Sequence, residues 1–161
     1  MRGLRVYLDS SAVVKRYVKE AGSDSIKAVY RKADTSGAVL TFSLWNVGEV
    51  LGILDSYLKR KWINEDSFTN ALNSFAGETL RLAKLLTLEI IPVTFDLLSD
   101  AWRIILQHHI YEADAIQIMT AKNLNTDIFL SADQKLLEVA RKENMNAINV
   151  ELEEEKLLRM L

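Results

Sequence analysis

Along the chain, short apolar runs alternate with stretches whose apolar residues recur every three or four positions. Leu4 to Leu8 is short and β-rich, which predicts a strand. Ser10 to Val18 carries Val13, Val14, Tyr17 and Val18 at helical spacing. Gly22 breaks that helix, and Ser23 or Asp24 caps a second one over Ser25 to Lys32. The run AVLTF after Gly37 predicts a second strand. From Leu44 to Arg60, the residues Val47, Val50, Leu51, Leu54 and Leu58 form one apolar arc at about 100° per residue. Asn64 opens a long helix through Phe68, Leu72 and Phe75 to Leu88, with Gly77 as a point of weakness or bending. Ile90 to Thr94 predicts a third strand, and Pro92 marks it as an edge strand. A helix from Asp96 carries Leu97, Leu98, Trp102, Ile105 and Leu106, and another runs from Ala113 to Leu124. Asp127 to Ser131 predicts a fourth strand, Asp133 starts a helix through Lys142, and Ala147 to Val150 predicts a short fifth strand. The tail ELEEEKLLRML predicts a charged terminal helix.

Strands alternating with helices predict an α/β fold with a parallel sheet covered on both faces. The 161 residues suffice for one domain with a substantial core, and no repeat or linker divides them. A net charge of −2 announces no global field for nucleic acid, although a local basic patch stays open. The chain has no cysteine, which excludes disulfides and thiolate metal sites. His108 and His109 are adjacent, a poor spacing for a shared metal on one helix face. Any metal here is therefore expected to be a hard cation held by oxygen. No apolar run is long enough for a membrane span, and the chain starts on a strand-like segment, so a cytoplasmic protein is expected.

Four carboxylates stand out. Asp9 ends the first strand in VYLDSSAVVKRYV, and Asp133 follows the fourth in LSADQKLLEVA. Ligand sites in such sheets lie beyond the carboxyl ends of the strands. Each of these aspartates is also a good helix cap. Asp114, in EADAIQIMTA, aligns with Ile118 and Ala121 on an apolar helix face, where a lone charge is costly. Its alternative is a place in the first turn, where the helix dipole favours it. Glu49, in SLWNVGEVLGIL, sits at the margin of an apolar arc, and Gly48 and Gly52 beside it suggest a close-packed site. Its alternative is a solvated position at the edge of the core. Clustered carboxylates repel, and a divalent cation removes the conflict. Mg²⁺ or Mn²⁺ held by a few carboxylates is the chemistry of phosphodiester cleavage.

These segments together resemble the PIN-domain family, in particular its VapC-type toxin ribonucleases. The resemblance rests on YLDSSAVVKRY, WNVGEVLGIL, DAIQIMTA and LSADQKLLEVA in that order, and covers residues 4 to 150. It implies a three-layer α/β/α sandwich with a parallel sheet of strand order 3-2-1-4-5, formed by residues 1–150. Residues 151–161 then form a charged helix or tail packed on the same domain. It also implies a Mg²⁺- or Mn²⁺-dependent endoribonuclease, the toxin of a toxin–antitoxin pair, with an RNA substrate, an antitoxin partner and a homodimeric assembly. Asp9, Glu49, Asp114 and Asp133 match the acidic quartet, as metal ligands and catalytic residues. Ser131 matches the hydroxyl that orients a carboxylate or water, and Ser10 the small hydroxyl after the first acid.

Lys15, Arg16 and Lys19 follow Asp9 and suit phosphate contacts, with a solvated helix face as the alternative. The helix through Phe68, Leu72 and Phe75 suits either a dimer or antitoxin groove or ordinary core. Trp45 and Trp62 suit base stacking or packing. His108 and His109 suit a helix end, where a cation is welcome. Two other readings stand beside the nuclease. One is a non-catalytic PIN-like module that binds RNA or protein, and the other is a structural domain whose acids are caps.

Overall fold

In the computed structural model, which describes residues 3–161, five parallel strands form one sheet in the order β3-β2-β1-β4-β5. They are β1 (Leu4–Leu8), β2 (Ala38–Ser43), β3 (Leu88–Ile91), β4 (Ile128–Ser131) and β5 (Ala147–Asn149). β1 lies at the centre, with Val6 opposite both Leu40 and Ile128. Alternate residues point to opposite faces, so Val6 and Leu8 enter one core while Tyr7 enters the other.

The first core lies under α1 (Ser10–Val14), α2 (Ser23–Asp34), α3 (Leu44–Lys59), α4 (Glu65–Lys84) and α8 (Glu154–Met160). The second lies under α5 (Phe95–His108), α6 (Glu112–Asn123) and α7 (Gln134–Lys142). The result is the expected three-layer sandwich. Side chains start most of the helices. Asp9, Asn64, Thr94 and Asp133 cap α1, α4, α5 and α7, while Ser43 and Asn46 form a capping box at α3. Gly22 caps α2 with φ +82°, and a Cβ there would meet the Val150 carbonyl oxygen at 2.9 Å. α8 packs on α2 and β5 and buries Leu157.

Several expectations change. α1 ends at Val14, and hydrogen-bonded turns carry the chain to Val18. α4 passes Gly77 without a break but stops at Lys84, because Leu86 takes a left-handed conformation, φ 59°. The third strand consequently starts at Leu88 and ends before Pro92, whose missing N–H cannot extend a ladder. It is an edge strand, as its proline suggested. The aromatic face of α4 turns inward: Phe75 is buried, and Phe68 and Leu72 pack against the first core. Phe95, Trp102 and Leu106 on α5 face solvent, as does Leu80 on α4. Among the described residues, no helix is long and apolar enough to cross a membrane.

Candidate active site

The end of β1 shows why the apolar run stops at Asp9. Its carboxylate is 3% exposed and accepts three hydrogen bonds. Oδ1 accepts from the Ala12 N–H at 2.8 Å and from Ser11 Oγ at 2.7 Å, and Oδ2 accepts from Ser131 Oγ at 2.6 Å. Both hydroxyls are in turn held by backbone. Ser131 Oγ accepts the Asp133 N–H, and Ser11 Oγ accepts the Ala132 N–H. Asp9 is thus a helix cap and also the centre of a network joining the ends of β1 and β4. Burial pushes its carboxyl up to about 6, against the pull of the Ser131, Ser11 and Ala12 hydrogen bonds, and the nearby Asp133 charge adds to the rise.

Asp133 caps α7, accepting from the N–H groups of Lys135 and Leu136. Asp114 stands in the first turn of α6, half-buried, and no described residue donates a hydrogen bond to its carboxylate. Burial pushes this carboxyl up to about 6 as well, with repulsion first from Asp133 and then from Glu49. Asp9 and Asp133 are helix caps, and Asp133 also lies near enough to raise the carboxyls of both Asp9 and Asp114, as Glu49 does that of Asp114. The four are not drawn into a tight cage. Among the described residues, no three acidic or histidine side chains stand close enough to grip a single ion directly.

Glu49 projects from the second turn of α3. Its Oε2 accepts from Ser10 Oγ and, at 3.2 Å, from Gln117 Nε2. Asn46, one turn earlier and fully buried, donates through Nδ2 to Ser10 Oγ and to Gln117 Oε1, each at 2.8 Å. Asn46 Oδ1 accepts from Tyr7 Oη, the Ser43 N–H and Ser43 Oγ. A cleft of about 620 Å³ opens over this edge of the sheet, lined by Ser10, Ser11, Lys15, Glu49, Tyr57 and Asp133 among others. Gly48 and Gly52 do not close-pack. A Cβ at either meets nothing within 4 Å, and Gly52 lies on the wall of the cleft.

A family model for the PIN domain matches residues 6–142. The chain belongs to the PIN domain family. No curated protein matches its sequence. Three solved structures are similar to this PIN domain in fold. FitAcB from Neisseria gonorrhoeae superposes with a TM-score of 0.65 at 16% identity, covering 90% of this chain and 97% of the other. VapC20 from Mycobacterium tuberculosis, described as a toxin that cleaves the sarcin-ricin loop, gives 0.59 at 17%, covering 81% and 92%. PAE2754 from Pyrobaculum aerophilum gives 0.59 at 15%, covering 98% of each chain.

Of the expected phosphate contacts in this PIN domain, neither Lys15 nor Arg16 is a free cation. Lys15 is buried and ion-paired with Glu151 at 2.6 Å and Glu20 at 3.2 Å. Arg16 faces a separate groove beside α4, holding Glu78 with two hydrogen bonds and lying over the Tyr30 ring. Sequence reasoning missed Asn46, Gln117 and Ser11. A polar Gln117 inside the apolar run of DAIQIMTA was the available signal.

Proposed function

We propose that this PIN domain is a divalent-metal-dependent endoribonuclease, the toxin of a toxin–antitoxin pair. The observation that carries the proposal is the group of acids at the carboxyl ends of β1 and β4, where Asp9 caps α1, Asp133 caps α7, and Asp114 lies close enough to Asp133 and Glu49 to be repelled by both. Such mutual repulsion is relieved by a cation. The donors are all carboxylate and hydroxyl oxygens, which suits Mg²⁺ or Mn²⁺. Because no three of the described acids can grip one ion directly, the proposed ion would be held partly through its own water shell. Asp9, Glu49 and Asp114 are the proposed ligands, with Asp133 completing the site. A bound ion supplies an activated water and offsets charge on the phosphate.

The chain's own groups do the rest. Ser131 and Ser11 hold the Asp9 carboxylate in one orientation. The cleft at the sheet edge gives room for a phosphodiester beside Glu49 and Asp133. With Lys15 ion-paired and Arg16 in a separate groove, the proposed hold on RNA lies at the site itself. The likeness to VapC20, described as a toxin that cleaves the sarcin-ricin loop, supports the toxin reading; an RNA substrate, an antitoxin partner and a cytoplasmic setting belong to the same proposal. The exposed α5 face, where Phe95 and Trp102 stack edge to face at 6.4 Å, supports a homodimer.

A non-catalytic module that uses the cleft for binding is the second reading, and the open spacing of the acids is what favours it. Incubation of structured RNAs with Mg²⁺ or Mn²⁺ separates the two. Cleavage by the wild type and none by Asp9→Asn supports the nuclease. RNA retained without cleavage at any metal concentration refutes it.

A further inference from the structure

The geometry points to Asn46 as the positioning residue for Glu49. It sets the direction of two hydrogen-bond relays so that protons, not lone pairs, meet one oxygen of that carboxylate.

The orientation of the Asn46 amide is fixed by a donor that cannot reverse. The Ser43 N–H lies 2.8 Å from Oδ1, and a backbone amide only donates. Tyr7 Oη, fully buried and 2.8 Å from the same oxygen, donates to it as well. Oδ1 must therefore face β1 and β2, and the NH₂ group must face Ser10 and Gln117. Ser10 Oγ accepts from Nδ2, which leaves its single proton for Glu49. Gln117 Oε1 accepts the other Nδ2 proton, which turns its own NH₂ towards Glu49.

Both relays end on Oε2, and no described residue donates to Oε1. Glu49, which lines the cleft, is thus clamped by one oxygen and has its other left without a described donor. Asn46 is wholly buried and does not itself line the cleft, so it acts on Glu49 through Ser10 and Gln117. The use of the other oxygen for a cation rests on the function proposed above, whereas the direction of the relays does not.

Asn46→Asp keeps the shape and reverses the polarity. The new oxygen takes the Ser10 proton and draws the Gln117 NH₂ away, leaving Gln117 Oε1 against Glu49. The added negative charge alone tightens cation binding, so the two effects have opposite signs. In metal-free protein, nuclear Overhauser contacts from the Gln117 side-chain NH₂ should reach the Glu49 methylene protons in the wild type and vanish in Asn46→Asp. Calorimetry with Mn²⁺ alone should show binding weakened roughly tenfold or more in Asn46→Asp, the scale of a lost outer-shell contact. Gln117→Met, which removes one relay, should lose less and covers the case in which Asn46→Asp fails to fold.

Gln117 contacts that persist unchanged in Asn46→Asp overturn the inference, as does Mn²⁺ binding at least as tight as wild type. For an unfolded Asn46→Asp, unchanged Mn²⁺ binding by Gln117→Met overturns it. A wild type that binds no Mn²⁺ sinks the nuclease proposal, while the Gln117 contacts still decide the relay.

Discussion

Ser131 Oγ donates to Asp9 Oδ2 at 2.6 Å, tying together the ends of β4 and β1, which are 122 residues apart in the chain. The same hydroxyl accepts the Asp133 N–H, so one atom orients one acid and anchors the turn that carries another. Ser131→Ala should lower metal-dependent cleavage roughly ten- to hundredfold, as loss of an outer-shell contact does. Single-turnover RNA cleavage checks this, and an unchanged rate removes Ser131 from the site.

Asp9 and Asp114 make stability depend on pH in an unusual direction. Their folded values near 6 lie above the ordinary 3.8, so the folded state holds the extra protons. Stability without metal should therefore rise as pH falls from about 6 towards 3.8, and stay low above 6. Asp114→Asn should melt higher than wild type at pH 7 without metal, lose the response to Mn²⁺, and abolish cleavage. Thermal melts with and without Mn²⁺ test this. Normal cleavage by Asp114→Asn defeats the metal-site proposal.

Glu143 acts in the opposite sense. It is buried at the end of α7 and meets Lys122, His108 at 2.8 Å and Arg103 at 3.6 Å, which together hold its carboxyl down to about 2 despite burial. Its contribution is present above the ordinary 4.5 and fades as pH falls towards 2. Metal-free protein should thus be most stable at about pH 4–5, between the two effects. Glu143→Gln should cost about 2 kcal/mol at pH 7, because the charged hydrogen bonds are lost. Urea titration measures it, and the folded variant should still bind Mn²⁺ like wild type.

Gly52 and Gly77 lie inside helices with open space where a Cβ would go. Alanine at either should raise stability by about 0.5–1 kcal/mol through helix propensity. Because Gly52 lines the cleft, Gly52→Ala should also raise the RNA concentration needed for half-maximal cleavage, and Gly77→Ala should not.

The α5 face offers a check on assembly. Trp102 and Leu106 are 50% and 77% exposed, and Phe95 is 74% exposed. Trp102→Lys should convert a dimer to a monomer in analytical ultracentrifugation, while Phe68→Lys on α4 should instead destabilise the fold, because Phe68 packs on the core. A wild type that sediments as a monomer excludes the homodimer.

Much of this architecture was legible in the residues themselves. The strand ending at Asp9, the cap at Asp133 and the apolar arcs of α3 and α5 follow from periodicity and cap chemistry, which are local. The end of α4 was not legible, because the leucines and isoleucines of LAKLLTLEII fit a helix and a buried strand alike. Pairing of Leu88 with Leu40, a contact distant in sequence, settles it. The ion pairs of Lys15 were hidden for the same reason, since Glu151 lies 136 residues away. Asn46 drew no reading from the sequence, although it is part of the capping box at α3. Its second task depends on Gln117, on another layer of the fold.

The sheet separates two cores that share no side chains, and the acids are divided between them. Asp9 and Glu49 are held by α1 and α3 on one face, Asp114 and Asp133 by α6 and α7 on the other. Any ligand that engages all four is therefore a rivet at the rim of the sandwich, beside the Asn46–Gln117 contact that already joins the layers. Seated, it couples the two cores mechanically, so that neither can open alone, and amides in the first turn of α6 gain protection from hydrogen exchange together with those of α1. Substitutions deep in either core that slide one layer against the other should then detune the site without touching an acid.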